Sequence, residues 1–532
     1  MAVRPTAAPT HRAWARPQGL RTAAVVVVLI AAWELLARTV FAGSYVLSSP
    51  SAIVEQFLDQ RGLYLRNLAY TAGNAAWGFV WGNLAAVALA VISTLVAPVK
   101  RTISGISVTI FCLPLVALAP ILRSVFGAGD TTAIALAALA VFFTTFVAAR
   151  LGFDAAPGGA LEVVRSYGRG PVIGFSVVRA RASVPALFAG LQVAAPAAFL
   201  GALVGEFAGA ERGFGILTIQ ALRTLEPDRV WTVAAISTVV SCGAYVVIGA
   251  IGRLLCPWAA TVDVSTASMR RPRRRWPWRV VGVLVSVAAV LGLWVGFLRA
   301  FDVDPYFAKT PADVWSELVT GPDSATMRDV VLPALWSTLG TTAIGFVAGL
   351  AFAVALAVLF TLLPWLERGA LPVAVALRAV PIIATVPVII LVVGRGVLTT
   401  VVIVAIMSFF PTLVNCTAAM RRTPTGILDV LRAYDATPLA RTTVAYLPNA
   451  VPALLASARI AVPTSLLGAT VAEWLATGNG IGNLMTVAAN TARYDVLWVC
   501  VAVLTLAAVI GYAAVSAGEA AVLGRIAPER AP

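Results

Sequence analysis

Apolar residues gather in long stretches along the chain of 532 residues, and short polar stretches separate them. A helix that crosses a bilayer needs about 20 mostly apolar residues, and each stretch has about that length or more. Because the bilayer core offers no water to backbone groups, each stretch is predicted to form an α-helix. The stretches are 23–41, 70–98, 103–122, 131–149, 186–205, 230–252, 280–298, 334–363, 370–394, 397–420, 453–476 and 496–517. The pattern predicts an all-α polytopic membrane protein with about twelve transmembrane helices.

The second half of this pattern repeats the first. Residues 70–231 align with the residues 267 positions further on, in one register and almost without a gap. A repeat of this length is a duplicated domain, so the chain is predicted to contain two six-helix units in tandem. We expect a basic N-terminus at 1–22, a first six-helix domain at 23–258, a basic linker at 259–279 and a second six-helix domain at 280–532.

Composition agrees with a membrane protein, since 60% of the residues are hydrophobic and 12% are charged, against about a quarter charged in a soluble domain. The net charge of +15 is also typical of nucleic-acid-binding proteins. The basic residues, however, lie in alternate loops, with a large group at 270–279 between the repeats. The positive-inside rule then predicts that both termini and the linker lie on the cytoplasmic side of a plasma or inner membrane. We expect the lipid bilayer, and no nucleic acid, as a partner.

Residues for metal, redox or nucleotide chemistry are scarce. His11 is the single histidine, and the five cysteines lack the spacing of a metal or redox site, so neither a metal nor another cofactor is predicted. The phosphate-binding pattern Gly-x4-Gly-Lys-Ser/Thr is absent, so ATP would have to be bound by a separate subunit. The chain is therefore not expected to be an enzyme.

Two acidic residues, Glu206 and Glu473, occupy equivalent positions at the outer ends of the fifth spans. A carboxylate near membrane depth is costly and by default marks a functional site. A helix-end carboxylate that reaches water is the alternative. Each is followed by a glycine turn, which we expect to shape the outer face, since it lacks the preceding strand of a nucleotide-binding loop. The turn glycines are Gly213, Gly215, Gly480 and Gly482.

Prolines and two arginines mark the candidate translocation pathway. Proline removes a backbone donor from a helix, and broken helices line the central path of many transporters, although a simple kink is an equally good interpretation. Arg378 and Arg459 lie in apolar spans of the second repeat alone. Facing a cavity, they would favour an anionic substrate, and snorkelling to the cytoplasmic surface is the alternative. The prolines, all in the third spans, are Pro114, Pro120, Pro381 and Pro387.

A short polar segment follows the first span of each repeat. In each segment two apolar residues are spaced i, i+4: Ile53 with Phe57, and Val314 with Leu318. One such apolar stripe predicts a short helix that lies on the outer surface of the membrane.

The longest cytoplasmic stretch of each repeat follows the fourth span and is predicted to form a helix, a turn and a second helix. Glu162 and Asp429 are placed in the first turn of the first helix, where the helix dipole favours an acidic residue. Gly168 follows six residues later and suits the left-handed conformation that ends many helices, and Asp435 is its counterpart. Pro185 then marks the entry to the next span.

This stretch resembles the EAA loop, Glu-Ala-Ala-x3-Gly-x9-Ile-x-Leu-Pro, of the permease subunits of binding-protein-dependent ABC importers. The Pro-x5-Pro third spans and the Glu-x6-Gly-x-Gly elements are similar to the branch of that family that imports sulfonates, taurine, nitrate and thiamine precursors. The resemblance implies a permease that forms the translocation pathway for a small organic or anionic solute. Two cytoplasmic ABC ATPase subunits would dock on the two loops, and an extracytoplasmic solute-binding protein would deliver the substrate.

Each loop departs from the family pattern at a different place. The first repeat keeps the glutamate and the glycine but has Ala180–Arg181 where Leu-Pro is expected. The second repeat keeps Leu447 and Pro448 but has Asp429 for the glutamate and Asp435 for the glycine. The two loops are expected either to dock on ATPase subunits with unequal strength or to have drifted neutrally.

Two other classes of protein are alternatives. A secondary transporter of the major-facilitator type also has twelve helices in two parallel halves. Its Gly-x3-Asp-Arg-x-Gly-Arg-Arg loop after the second span is missing, and Pro98–Arg101 stands there instead. A membrane-embedded enzyme would need clustered His, Asp or Glu in the spans, which the sequence lacks.

Overall fold

A computed structural model describes residues 27–28, 30–42, 47–127, 129–207, 209–224, 226–257, 276–378 and 382–526. Within these ranges the chain forms helices, and no β-strand is present. Each repeat contributes ten helices, so that α1 to α10 of the first repeat correspond to α11 to α20 of the second.

The helices of the first repeat are α1 (30–39), α2 (Pro50–Asp59), α3 (Arg61–Leu95), α4 (Lys100–Cys112, preceded by a 3₁₀ turn at Ala97–Val99), α5 (Leu115–Phe126), α6 (Asp130–Asp154), α7 (Gly158–Ser166), α8 (Pro171–Phe207), α9 (Phe214–Arg223) and α10 (Pro227–Leu255). Those of the second repeat are α11 (Trp276–Ala300), α12 (Pro311–Trp315, continued by a π-turn at Ser316–Thr320), α13 (Ser324–Leu362), α14 (Pro364–Arg378), α15 (Ile382–Val393), α16 (Val397–Arg421), α17 (Thr425–Ala433), α18 (Pro438–Leu475), α19 (Ile481–Asn490) and α20 (Tyr494–Ile526).

Nine helices within the described ranges are long and apolar enough to cross a membrane, and the bent pair of α4 and α5 makes a tenth. The predicted spans 23–41 and 370–394 include residues outside those ranges, and their described parts are helical except at Val40, Phe41 and Gly394. The predicted all-α polytopic class is confirmed. The predicted N-terminus 1–22 and most of the linker 259–279 lie outside the described residues, and α11 begins at Trp276.

Three long helices form the centre of each repeat: α3, α6 and α8 in the first, and α13, α16 and α18 in the second. Glycines let these helices approach closely. A Cβ atom added to Gly82 would lie 2.4 Å from the carbonyl oxygen of Ala138, and one added to Gly349 would lie 2.4 Å from that of Ala405. Small residues serve this purpose in membranes, where close packing replaces the hydrophobic effect as the force between helices.

The third span of the first repeat is broken, because α4 and α5 meet at an angle of 97°. Pro114 lies at the break with φ −74° and ψ 94°, outside the helical region, and Pro120 lies inside α5. Proline thus interrupts this span as predicted. In the second repeat Pro387 lies inside α15, whereas Pro381 lies outside the described residues.

The apolar stripes of α2 and α12 face the protein, and not the membrane surface as predicted. Ile53 is buried and α2 packs against α10, while the ring of Phe57 lies 6.0 Å from that of Tyr64. Val314 is buried in the cluster that α20 forms in the second repeat. A sequence stripe shows which side of a helix is apolar, and only the packing shows what covers that side.

The two repeats meet through helices of their third spans. Helix α5 packs against α18, α19 and α20 of the second repeat, and α15 packs against α8, α9 and α10 of the first. The first helix of the second repeat, α11, also crosses to the first repeat and packs against α4. The contacts between the repeats bring the third and fifth spans to the middle of the molecule.

Candidate translocation pathway and coupling loops

A buried apolar cluster lies where the two repeats meet, and we call it the central cluster. Several of its members occupy equivalent positions, 267 residues apart. The equivalent residues Phe207 and Trp474 meet in this cluster, with ring centres 5.9 Å apart. Because a contact between equivalent residues of two repeats lies on the axis that relates them, the central cluster surrounds a pseudo-two-fold axis. Three of its pairs are Ala119 with Val386, Leu136 with Ile403, and Val204 with Val471.

The predicted pathway prolines lie beside this cluster in both repeats. Pro114 is buried directly before Leu115 of the central cluster, and Pro387 is buried directly after Val386. Pro120 is partly buried on α5, next to Ala119. The break in the span therefore brings α5 to the interface between the repeats.

The predicted pathway arginine that the structure describes is paired. Nη1 of Arg459 lies 2.8 Å from Oε2 of Glu519 on α20, and its guanidinium lies 5.9 Å from the ring centre of Tyr512. The carboxylate offsets the charge of Arg459 within the second repeat. The side chain of Arg378 lies outside the described residues.

Glu206 binds the turn that follows α8. Its Oε2 accepts hydrogen bonds from the backbone N–H of Gly215 at 2.8 Å and from the hydroxyl of Thr71 on α3 at 3.0 Å. The same hydroxyl accepts a hydrogen bond from the N–H of Phe214 at 2.9 Å. The carboxylate therefore ties α8, α3 and the start of α9 together, and we call this arrangement the glutamate latch.

Glu473 forms the same latch in the second repeat. Its Oε2 accepts from the N–H of Gly482 at 3.0 Å and from the hydroxyl of Thr338 at 2.8 Å, and that hydroxyl accepts from the N–H of Ile481 at 2.9 Å. Glu206 is 0% exposed and Glu473 is 3% exposed. The alternative that these carboxylates reach water at a helix end is therefore wrong.

The turn glycines are required by the latch. Gly213 has φ +116° and Gly480 has φ +88°, a region that other residues rarely adopt. A Cβ atom added to Gly213 would lie 2.3 Å from the carboxyl carbon of Glu206, and one added to Gly480 would lie 2.2 Å from that of Glu473. The spacing Glu-x6-Gly-x-Gly thus encodes a carboxylate and the turn that folds over it.

The first helices of the two loops, α7 and α17, are short and largely exposed. We call them the coupling helices after the role that the family resemblance implies. Tyr167 is 78% exposed and Tyr434 is 83% exposed, and Val163 and Val430 are exposed one turn earlier. Glu162 and Asp429 lie in the middle of these helices and not in the first turn, because each helix begins four residues before the acidic side chain.

Gly168 and Asp435 take the same left-handed conformation, with φ +69° and φ +51°. In the first repeat the N–H of Arg169 donates to the carbonyl of Val164, and in the second the N–H of Ala436 donates to that of Leu431. This six-to-one hydrogen bond ends both coupling helices. The loss of glycine in the second repeat has therefore left the backbone conformation unchanged.

The second helix of each loop is continuous with the fifth span. Helix α8 runs from Pro171 to Phe207 with a π-turn at Phe175–Arg179, and α18 contains a π-turn at Thr442–Tyr446. Pro185 therefore lies inside a helix and does not mark its start, which corrects the expectation from the sequence. Leu447 and Pro448 likewise lie inside α18, directly after its π-turn.

An ion pair near the coupling loops reverses its charges between the repeats, which the sequence analysis missed. Nζ of Lys100 lies 3.9 Å from Oδ2 of Asp154, and the equivalent positions hold Glu367 and Arg421, with 2.5 Å between Oε1 and Nε. Comparing charges at an offset of 267 would have found the exchange. Asp154 also lies 3.8 Å from Arg179 in the π-turn of α8.

The element Asp228-x-x-Trp231 recurs as Asp495-x-x-Trp498 in the second repeat, and each tryptophan has a partner that sequence reasoning missed. The ring centre of Trp231 lies 5.3 Å from that of Trp33 on α1. In the second repeat Trp498 stacks on Trp294 of α11 at 5.1 Å. Each pair joins the first helix of its repeat to the last.

Two equivalent helical membrane units, packed about an axis and carrying exposed loop helices, define a polytopic protein of the permease class. The chain belongs to the family of binding-protein-dependent transport system inner membrane components, whose sequence profile matches residues 78–258 and 345–526, more than half of the chain. The duplication and the predicted family are thereby confirmed, and the chain is an ABC transporter permease with two permease domains.

Three relatives each match about one repeat's length of sequence or less. The riboflavin transport system permease protein RibX of Chloroflexus aurantiacus is 28% identical over 46% of this chain and 91% of its own length. The formylaminopyrimidine transport permease protein ThiX of Halalkalibacterium halodurans is 28% identical over 31% of this chain and 68% of its own length. The putative aliphatic sulfonates transport permease protein SsuC of Escherichia coli is 26% identical over 47% and 89%.

Proposed function

We propose that this chain forms the complete translocation pathway of an ABC importer, with both permease halves in one polypeptide. Two ATPase subunits dock on α7 and α17, and a solute-binding protein meets the opposite ends of α8 and α18. The observation that carries this proposal is the exposed apolar and aromatic surface of both coupling helices, which centres on Tyr167 and Tyr434. Exposed patches of this kind on helices outside a membrane core are typical of docking sites.

Charge supports the orientation of this arrangement. Arg165 and Arg169 lie at α7, and Arg432 lies on α17 beside Asp429, 3.0 Å from its Oδ1. The positive-inside rule places these loops, both termini and the linker in the cytoplasm, and the glutamate latches on the outer side of a plasma or inner membrane.

The substrate that fits the described pathway best is an uncharged or zwitterionic heteroaromatic compound. The central cluster is apolar, and the described pathway arginine, Arg459, is already paired with Glu519. Apolar surfaces accept flat ring systems more readily than small inorganic anions, which need compensating charge. Two relatives carry names that specify riboflavin and formylaminopyrimidine.

The docking proposal is tested by reconstituting the chain with its cognate ABC ATPase and solute-binding protein and measuring ATP hydrolysis and co-purification. We expect the variants Tyr167→Asp and Tyr434→Asp to lose ATPase binding by about ten-fold or more, because a charge would enter an apolar interface. The control is Leu58→Asp, another exposed apolar site, on α2. Uptake driven by an ion gradient without any ATPase would instead indicate a secondary transporter.

The substrate class is tested on the cognate solute-binding protein by thermal shift with riboflavin, a formylaminopyrimidine, taurine and nitrate. Stabilisation by a heteroaromatic compound is the expected result. Stabilisation by taurine or nitrate alone would contradict it. Were nitrate the ligand, Arg459→Ala would be expected to abolish its uptake.

A further inference from the structure

The end of the central cluster nearest the glutamate latches is closed by two aromatic rings in contact. Phe207 and Trp474 occupy equivalent positions, and their ring centres lie 5.9 Å apart at an interplanar angle of 73°. Equivalent residues of two repeats can touch only where the axis between the repeats passes. The pair therefore lies on the pseudo-two-fold axis, where a pathway shared by both halves must run.

The two rings end an apolar stripe on each fifth span. Leu200, Val204 and Phe207 follow one another at spacings of four and three residues along one side of α8. The equivalent positions Leu467 and Val471 and the ring of Trp474 form the stripe of α18. Each stripe covers about 10 Å of helix. Phe207 and Trp474 have the largest side chains in these stripes, and each lies at the end of its stripe nearest the glutamate latch.

The residue directly before each ring is the latch carboxylate. Glu206 and Glu473 point away from the axis toward α3 and α13, where they bind Thr71 and Thr338. The carbonyl of Gly209, two residues after Phe207, accepts a hydrogen bond from Arg123 of α5. The rings are thus fixed at the ends of their helices by bonds to the surrounding helices and to the outer turns.

We propose that Phe207 and Trp474 form the outer gate of the translocation pathway, closed in this structure. The inference rests on the proposed function for the direction of transport. The glutamate latches position the two rings, so that movement of the outer turns, where a solute-binding protein would dock, separates them. Aromatic rings meeting edge to face close a narrow path with few atoms and separate without leaving a charge unpaired.

The gate is tested by the accessibility of a reporter cysteine behind it. Val204→Cys is placed in the full chain in proteoliposomes, and the probe is the membrane-impermeant thiol reagent 2-(trimethylammonium)ethyl methanethiosulfonate added outside. Val204 is fully buried one turn below the rings. We expect Phe207→Ala with Trp474→Ala to raise the labelling rate about ten-fold or more, because truncation removes the closing rings. An unchanged rate would overturn the proposal.

Matched variants separate a gate from a general loosening. Trp33→Ala with Trp231→Ala removes an aromatic pair of similar spacing away from the axis, and it should leave labelling of the reporter unchanged. Equal acceleration by this control would also overturn the proposal. If the alanine pair reduces the yield of folded protein, Phe207→Leu with Trp474→Leu can replace it. The leucine pair keeps more apolar volume and should give an intermediate labelling rate.

A last comparison distinguishes failure of the gate from failure of the proposed function. With the intact rings, adding the ATPase, ATP and the binding protein should accelerate labelling of the reporter. If the truncated rings accelerate labelling but these partners do not, the closure stands and the proposed import function is wrong. If the partners accelerate labelling and truncation does not, the gate lies elsewhere.

Discussion

Glu206 and Glu473 show how a carboxylate is accommodated inside a membrane protein. One oxygen of each accepts two hydrogen bonds, from a backbone N–H and from a threonine hydroxyl. A buried backbone donor that loses its partner costs the full desolvation of that group. Each latch therefore stabilises the glycine turn that follows its helix, and its removal has a defined energetic consequence.

Two variants of Glu206 should distinguish the effect on stability of losing the latch hydrogen bonds from the effect of losing the negative charge. Glu206→Ala is expected to lower stability by about 2 kcal/mol or more, because the N–H of Gly215 and the hydroxyl of Thr71 lose their acceptor. Glu206→Gln keeps an acceptor oxygen and should cost less. Thermal unfolding in detergent measures both, with the exposed Glu55→Ala as a control that changes little. Equal losses for Ala and Gln would contradict the latch.

The backbone conformation of Asp435 leads to a second prediction at the scale of single residues. Its φ of +51° is left-handed and costs a residue with a Cβ atom about 1 kcal/mol, although aspartate tolerates that region better than most. At Gly168 a Cβ atom would have open space around it, so backbone strain is the main effect of a substitution there.

Asp435→Gly should therefore stabilise α17 slightly, and Gly168→Val should destabilise α7 by about 1 kcal/mol or more. Hydrogen exchange of the two coupling helices measures this directly. Gly159→Asp, in the same helix without a positive φ, is the control. If Gly168→Asp also leaves ATP hydrolysis coupled to the binding protein unchanged, the glycine has no functional role beyond its conformation.

At the scale of helices, the reversed ion pairs connect the start of the third span to the end of the fourth in both repeats. Lys100 of α4 faces Asp154 of α6, while Glu367 of α14 faces Arg421 of α16. If α4 packed on α16, or α14 on α6, like charges would meet. The exchange therefore favours the correct pairing of helices between two otherwise similar repeats.

A charge exchange at one repeat tests this pairing. Glu367→Lys should lower the free energy of unfolding by less than about 1 kcal/mol, because Arg421 is largely exposed and solvent screens the pair. The melting temperature should fall only slightly. The double variant Glu367→Lys with Arg421→Asp recreates the arrangement of the first repeat and should recover the loss. Additive losses in the double variant would show that the two residues do not interact.

At the scale of the whole molecule, the repeats share a buried interface. The central cluster draws residues from α5, α6 and α8 and from α15, α16 and α18, and α11 packs on α4 of the other repeat. Extensive apolar contacts of this kind hold subunits together without a covalent link. We predict that the linker between the two proposed domains keeps the two halves at a one-to-one ratio and is less important for their association.

Two fragments divided within the predicted linker 259–279 and expressed together should therefore co-purify through a tag on one of them. Gly105→Leu is the informative variant, because the side chain would collide with Ser286 of α11, whose Cβ lies 2.6 Å from an added Cβ. It should weaken association of the fragments. Gly73→Leu, where an added Cβ has open space, is the control. Fragments that never associate would contradict the shared interface.

The sequence by itself determined the helices, the duplication and the family. These follow from apolar length, from one register of 267 residues and from the loop motif, all of which are local or periodic properties of the chain. It also placed the break of the first repeat's third span at proline, since the lost backbone donor acts wherever the helix packs. The glycine turns after Glu206 and Glu473 were likewise found at their correct positions.

Only the tertiary structure decided which side chains meet. The burial of Glu206, the contact of Phe207 with Trp474, the pairing of Arg459 with Glu519 and the direction of the Ile53 stripe all depend on neighbouring helices far away in the sequence. Almost every span of this chain is apolar on most sides, so its pattern does not show which side faces lipid, a second helix or the axis between the repeats. Helix packing resolves that choice, because each close contact between helices admits one arrangement of side chains.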